Sequence, residues 1–298
     1  MRRCLVPEAC AIDIGANRGV FCLTMAKIAH AGKVWAFEPS SSTADLLETS
    51  EHANELHNLH VCRVAVSDAV GVAKFLIADE GSEFNHLVGM DNNLAGHGEK
   101  TEQVQITTLD ECMRKFAWER MDFIKIDAEG AELQIIQGGK QFFEQLSPLV
   151  MFEAEHAGVG AGIPLTNALS GLGYSIFRFV PSLCALVEIS AEVVADRAAK
   201  KADLNLFACK EDCAELLAER CLLIREGTET ALTTELMAAG MSAFEELPYV
   251  RALAGHWGVG GECQRNEVEV AIALLHMSKD TSRSLGQRYA ALFDSYQR

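Results

Sequence analysis

The 298-residue chain is short of basic residues, proline and aromatics, and each shortage excludes something. Only 26 Lys and Arg stand against 42 Asp and Glu, for a net charge of −16. Neutralising nucleic-acid phosphates takes clustered cations, so nucleic acid is not an expected partner. Residues 211–298 hold 14 acidic and 8 basic side chains, −6 against −10 for the rest, so the acidity is spread along the chain and argues mainly for solubility. With 6 prolines and 23 glycines in a chain that is 49% hydrophobic, neither a collagen-like repeat nor a disordered low-complexity chain fits. No uncharged apolar run reaches about 18 residues, so no membrane span is expected. The apolar stretch behind Met1-Arg2-Arg3 is short and contains Glu8 and Asp13, so a secretory leader is not expected. The ten cysteines are scattered and form no CxxC, which reads as reduced thiols in a cytoplasmic protein. The one cluster, Cys209, Cys213 and Cys221, has no histidine at zinc-site spacing and reads as small core residues.

What the chain does have is alternation. Cys10 to Ala16, Val34 to Phe37, His60 to Val66, Phe123 to Ile126 and Leu149 to Phe152 are apolar runs bounded by turn signals, as buried strands are. Gly19 to His30, a segment capped by Ser40 or Ser41 and reaching Ala53, and Ala131 to Gln145 read as helices. Val72 to Ile77 and Gln103 to Ile106 add two strands around a long polar loop over 80–100, and Thr108 caps a helical turn. Strands over 174–180 and 183–189 and a closing strand from Asp203 to Ala208 complete the pattern. Strand and helix in turn predict right-handed crossovers and a parallel sheet with helices on both faces. Residues 211–298, rich in Ala, Leu and Glu, read as helices without strands. The expected division is a domain over 1–210 and a helical extension over 211–298.

Three strand ends carry unusual polar residues. The first is Ile12-Asp13-Ile14-Gly15-Ala16-Asn17-Arg18-Gly19. A pyrophosphate-binding turn would read G-x-G-x-x-G, but Asn17 stands at its second glycine and Asp13 precedes the turn. Asp13 would repel an anion and attract an ammonium, while Gly15 and Gly19 allow close backbone approach. S-adenosylmethionine carries an ammonium, a sulfonium and no phosphate. The second is Glu38, which ends the next strand and can accept hydrogen bonds from both hydroxyls of a ribose, whether of NAD or of S-adenosylmethionine. The third is Lys125-Ile126-Asp127-Ala128-Glu129-Gly130-Ala131-Glu132. A central parallel strand should be continuously apolar, and unpaired charges there would cost several kcal/mol, so charges at its end mark a site or a bare ion pair. Glu132 reads as support for the helix dipole.

Together these residues resemble the FkbM-type S-adenosylmethionine-dependent methyltransferases. The resemblance rests on Asp13-x-Gly15-Ala16-Asn17-x-Gly19, Phe37-Glu38-Pro39, Val64-Ala65-Val66-Ser67-Asp68, Thr108-Leu109-Asp110, Lys125-Ile126-Asp127-x-Glu129-Gly130-x-Glu132, Pro148 to Glu153 and Asn205-Leu206-Phe207. It covers roughly residues 10–209. It implies a class I methyltransferase Rossmann-like sheet, mostly parallel with an antiparallel last strand. It also implies S-adenosylmethionine as cofactor, and O-methylation of a hydroxyl on a sugar, glycolipid or polyketide-like acceptor. The cofactor-binding set is then Asp13, Gly15, Asn17, Gly19, Glu38, Ser67 and Asp68. Residues 211–298 lie outside the resemblance and are open to three roles: a lid over the acceptor, a partner site or a homo-oligomer contact.

An alcohol loses its proton as its oxygen is methylated, so a general base is expected. Asp127 is the first candidate and Glu129 and His156 are alternatives; Lys125 orients Asp127 or polarises the acceptor. His86 and His97 in the long loop read as exposed histidines. No metal is expected, although Asp127, Glu129 and His156 are ligand types. The competing readings are an NAD-linked oxidoreductase, a non-catalytic scaffold of the same fold, and an N- or C-methyltransferase.

Overall fold

The structure, a computed structural model, describes residues 3–77, 86–87, 100–153, 162–190, 205–224, 232–248, 250 and 262–297. His156 and His97 lie outside the described residues. The chain divides into two compact units, one formed by Met1–Phe179 with Glu188–Leu217 and the other by Val180–Val187 with Ala218–Arg298.

The first unit is built on seven strands. They are β1 (Cys10–Ile14), β2 (Lys33–Phe37), β3 (Leu59–Cys62), β8 (Phe123–Ile126), β9 (Leu149–Glu153), β10 (Ser175–Val180) and β12 (Asn205–Cys209), in the order β3-β2-β1-β8-β9-β12-β10. The pairs β3–β2, β2–β1, β1–β8 and β8–β9 are parallel, and β12 runs antiparallel to both β9 and β10. This is the mostly parallel, Rossmann-like sheet with an antiparallel last strand. The central strands are apolar on both faces because helices cover both: Ala11, Ile12, Ile124, Ile126, Val150 and Phe152 are all fully buried. The few aromatics are concentrated in this core, where Trp35 meets Trp118 edge-on at 5.1 Å between ring centroids and Trp118 meets Phe142 at 5.8 Å.

The helices start where the caps direct. α1 (Cys22–Ile28) has no cap from its own N-terminal side chain; instead Asp13, at the end of β1, accepts the N–H of Cys22 at 2.9 Å. Ser40 caps α2 (Ser41–Ala53) and Thr108 caps α3 (Leu109–Lys115). The helix expected from Ala131 to Gln145 is two helices, α4 (Glu132–Gln137) and α5 (Lys140–Leu146). A Cβ on Gly138 would lie 2.1 Å from the Ser67 carbonyl oxygen, so the break allows a close backbone crossing. Asp110 restarts the chain by accepting the N–H groups of Gln141 and Phe142.

The strand expected from His60 to Val66 also divides. Leu59–Cys62 stays in the main sheet, while β4 (Ala65–Val66) pairs in parallel with β7 (Lys100–Thr107) in a second, four-stranded sheet. There β5 (Gly71–Ile77) runs antiparallel to β7 and to β6 (His86–Leu87).

The second unit contains the parallel pair β11 (Ala185–Glu188) and β13 (Leu223–Ile224), which corrects the reading of residues 211–298 as strand-free. Its helices include Thr234–Glu245, Glu262–Lys279 and Leu285–Gln297. Among the described residues, no helix is long and apolar enough to cross a membrane.

Candidate active site

A cleft of about 390 Å³ lies at the carboxyl ends of β1, β2 and β8, where open α/β sheets hold their ligands. One side is the turn after β1. Gly15, Asn17 and Gly19 adopt φ of 73°, 49° and 91°, all in the left-handed region. Asn tolerates that region better than other side chains, which is how this turn closes without a second glycine. Gly15 is fixed for another reason: a Cβ there would sit 1.7 Å from the Asp127 carbonyl oxygen.

Glu38, at the end of β2, is 5% exposed and lines the cleft. Its Oε2 accepts the Asn17 N–H and its Oε1 the Ser40 N–H, each at 2.9 Å. It therefore clamps the β1 turn and the start of α2 together. Burial pushes its carboxyl above the usual range, while the two backbone donors pull it back. Each oxygen accepts a single protein donor in these bonds, which leaves acceptor capacity on both for a ligand.

Lys125 and Asp127 project to the same side of β8. The Lys125 ammonium is 2.9 Å from Asp127 Oδ2 and 3.5 Å from Asp13 Oδ1, and lies 4.8 Å from the centre of the Phe21 ring. Burial alone would lower the Lys125 pKa, but Asp13 and Asp127 outweigh it and hold the ammonium above the ordinary lysine range, hence charged. Asp13 is 1% exposed and does not line the cleft; its carboxylate faces α1 and Lys125. Burial pushes its pKa up, and Lys125 opposes that shift.

Beyond β8 the chain turns through a second left-handed pair, Glu129 at φ 50° and Gly130 at φ 97°. Glu132 Oε1 holds this turn by accepting the N–H groups of Ala128 at 2.9 Å and Gly130 at 3.2 Å. Its role is thus to cap the loop. Glu129 reaches the cleft, which is completed by Val64, Ala65, Val66 and Phe75 and by the half-buried Phe21 and exposed Val20.

The structure therefore brings Gly15, Asn17, Glu38, Lys125, Asp127 and Glu129 around one cleft. Gly19 packs behind the turn against Leu23 and Leu47. Ser67 and Asp68 are not in the lining; the Ser67 N–H bonds the Thr107 carbonyl at 2.8 Å and its hydroxyl bonds Asp68 at 3.3 Å. Sequence reasoning passed over Glu153, which neighbours Asp127 without lining the cleft. It ends β9, one step beyond the Ile126–Phe152 pairing, and its carboxyl is hydrogen-bonded to Asp127. Partial burial and the neighbouring Asp127, Glu129 and Glu132 push it up to about 8. The available signal was an acidic residue at the end of a buried strand, the same signal that marked Glu38.

The strand order, the antiparallel β12 and the cleft define a class I methyltransferase fold. Residues 13–175, more than half of the chain, match the family described as Methyltransferase FkbM domain, and the chain belongs to that family. It is 24% identical over 193 residues to Methyltransferase sdnD of Sordaria araneosa, covering 56% of this chain and 74% of that protein. It is 27% identical over 146 residues to Methyltransferase 1 of Beauveria bassiana strain ARSEF 2860, covering 43% and 57%. A methyltransferase FkbM from Methylobacillus flagellatus KT superposes with a TM-score of 0.45 at 15% identity, over 68% of this chain and 44% of that one.

Proposed function

We propose that this chain transfers the methyl group of S-adenosylmethionine to a hydroxyl of a sugar, glycolipid or polyketide-like acceptor. The observation that carries the reading is Glu38: a buried carboxylate with spare acceptor sites at the end of β2, opening on the same cleft as Asp127. The residues present fit the ligand. Glu38 has acceptor capacity for two ribose hydroxyls, and Gly15 brings bare backbone to the cleft beside Asn17. The acidic groups Glu38, Asp127 and Glu129 outnumber Arg18 and Lys125 in the lining, which favours a cationic ligand.

When bound, S-adenosylmethionine supplies an electrophilic methyl carbon. The chain's own task is to position and to take up a proton. Holding the acceptor oxygen in line with the methyl supplies much of the acceleration. Asp127, held ionised and oriented by Lys125, accepts the hydroxyl proton. Val20, Phe21, Val64 and Phe75 give the cleft an apolar wall that suits an acceptor with a hydrocarbon part. We further place the reaction in the cytoplasm, following the scattered cysteines, and assign residues 211–298 to a homo-oligomer contact.

Calorimetry tests the reading. The protein is expected to bind S-adenosylmethionine and Glu38→Ala to lose that binding, while Asp127→Asn keeps it and stops turnover. Equal affinity in Glu38→Ala would remove the cofactor assignment. Mass spectrometry of the purified protein for retained S-adenosylmethionine or S-adenosylhomocysteine supports it independently.

A further inference from the structure

We propose that Asp127 and Glu153 act as one proton-sharing carboxyl pair, in which Asp127 receives the acceptor's proton and Glu153 positions Asp127 and passes the proton outward. This rests on the methyl-transfer reading given above and names a residue that reading does not use.

The geometry comes from strand register. β8 and β9 are parallel neighbours with Ile126 opposite Phe152, so Asp127 and Glu153 are the next two residues in step at adjacent strand ends. Side chains in step on parallel strands share a face, and here a hydrogen bond joins them. Two carboxylates cannot share a hydrogen bond unless one is protonated. Asp127 is the ionised member, because Lys125 donates to it at 2.9 Å, and it is the member that lines the cleft. Glu153 is therefore the proton holder. It is only part-buried, which gives the pair a route to water.

The acidic neighbours favour the same arrangement. The charged groups that raise Glu153 include Asp127 just past β8, Glu129 in the following turn and Glu132 on α4; its partner on β12 is Asn205, which carries no charge. Lys125 already serves Asp13 and Asp127. Adding a fully ionised Glu153 would place like charges in contact in a part-buried site.

The transfer balances. The O–CH3 bond forms as the S–CH3 bond breaks, and the sulfur keeps that electron pair and becomes a neutral thioether. The acceptor's O–H bond breaks and its proton passes to Asp127, so the pair goes from one negative charge to none. Loss of one proton to water through Glu153 restores it.

The test is carbon-13 NMR of the full chain labelled at Asp and Glu carboxyl carbons, titrated with pH, with the Glu153 signal assigned by its loss in Glu153→Gln. In the ligand-free protein that signal is expected to titrate near 8. It is expected to fall by about one pH unit or more in Asp127→Asn, which removes the shared charge. S-adenosylmethionine, whose sulfonium is positive, is expected to lower it relative to S-adenosylhomocysteine, whose sulfur is neutral. A carboxyl remote from the reacting sulfur would not distinguish the two. Titration with ordinary glutamates, or the same titration with both ligands bound, overturns the pair. Failure of both ligands to bind in calorimetry overturns the methyl-transfer reading itself, and the catalytic role of the pair with it.

Discussion

The Lys125 ammonium lies 3.5 Å from Asp13 Oδ1, with the two side chains 4% and 1% exposed. That separation is long for a hydrogen bond, so charge is the main link between them. Removing Lys125 strands the Asp13 carboxylate in the interior. Lys125→Met is expected to cost about 3–5 kcal/mol. Asp13→Asn keeps an oxygen for the Cys22 N–H and leaves Lys125 paired with Asp127, so it is expected to cost about 1–2 kcal/mol. Urea unfolding of the two variants should show this order; equal stability of Lys125→Met and the parent protein would contradict it.

Glu38 holds two backbone donors as well as facing the cleft. Glu38→Ala leaves the Asn17 and Ser40 N–H groups without their acceptor, at a cost of about 1–3 kcal/mol. Because Asn17 is left-handed, losing the clamp also loosens the turn that shapes the cleft. S-adenosylmethionine affinity is expected to fall by at least about 10-fold, the equivalent of one charge-assisted hydrogen bond. Glu38→Gln, with one acceptor oxygen, should fall between the two in both thermal melts and calorimetry.

Gly15 and Gly130 both have positive φ but differ in surroundings. A Cβ at Gly15 meets the Asp127 backbone at 1.7 Å, whereas one at Gly130 meets nothing within 4 Å. Gly130→Ala should thus carry only the backbone cost, about 1 kcal/mol. Gly15→Ala must also push β1 away from the end of β8 and should cost several times more. Melting temperatures compare the two directly, and similar losses would show that steric contact with Asp127 is unimportant.

Glu153 gives a pH signature in stability. Its carboxyl is raised from 4.5 to about 8, so the folded state favours the protonated form. The resulting stabilisation is complete below about 4.5 and is lost as pH climbs through about 8. Glu153→Gln stays neutral throughout. The variant should match the parent near pH 5 and exceed it at pH 9 by on the order of 1 kcal/mol, a small figure because water screens a part-exposed carboxyl. Parallel urea midpoints across that range would show that Glu153 ionises without penalty.

Much of this site was legible because its parts are local. Ser40 and Thr108 cap the helices they precede, and a cap needs only the next three residues. Lys125 and Asp127 stand out because a buried strand has no other use for charge. What was not legible depended on distant partners. Glu153 looked like the end of one more strand until the β8–β9 register set it beside Asp127. The helix from Ala131 breaks at Gly138 because the Ser67 carbonyl passes there, some 70 residues earlier in the chain. The run from His60 to Val66 splits between two sheets because Ala65 and Val66 pair with Ile106 and Thr107. Nothing in the run itself marks that division.

The sequence by itself determined the alternation of buried strands and helices, the family, and the polar residues at three strand ends, since period, caps and turn chemistry act over a few residues. Only the tertiary structure decided how those residues divide the work. Asp13 turns inward to α1 and Lys125, Glu38 faces the cleft, Ser67 and Asp68 lie outside its lining, and Glu153 joins Asp127. Those outcomes depend on strand order and register, which are set by packing across the whole sheet, and on burial, which decides whether a carboxylate there can keep its charge.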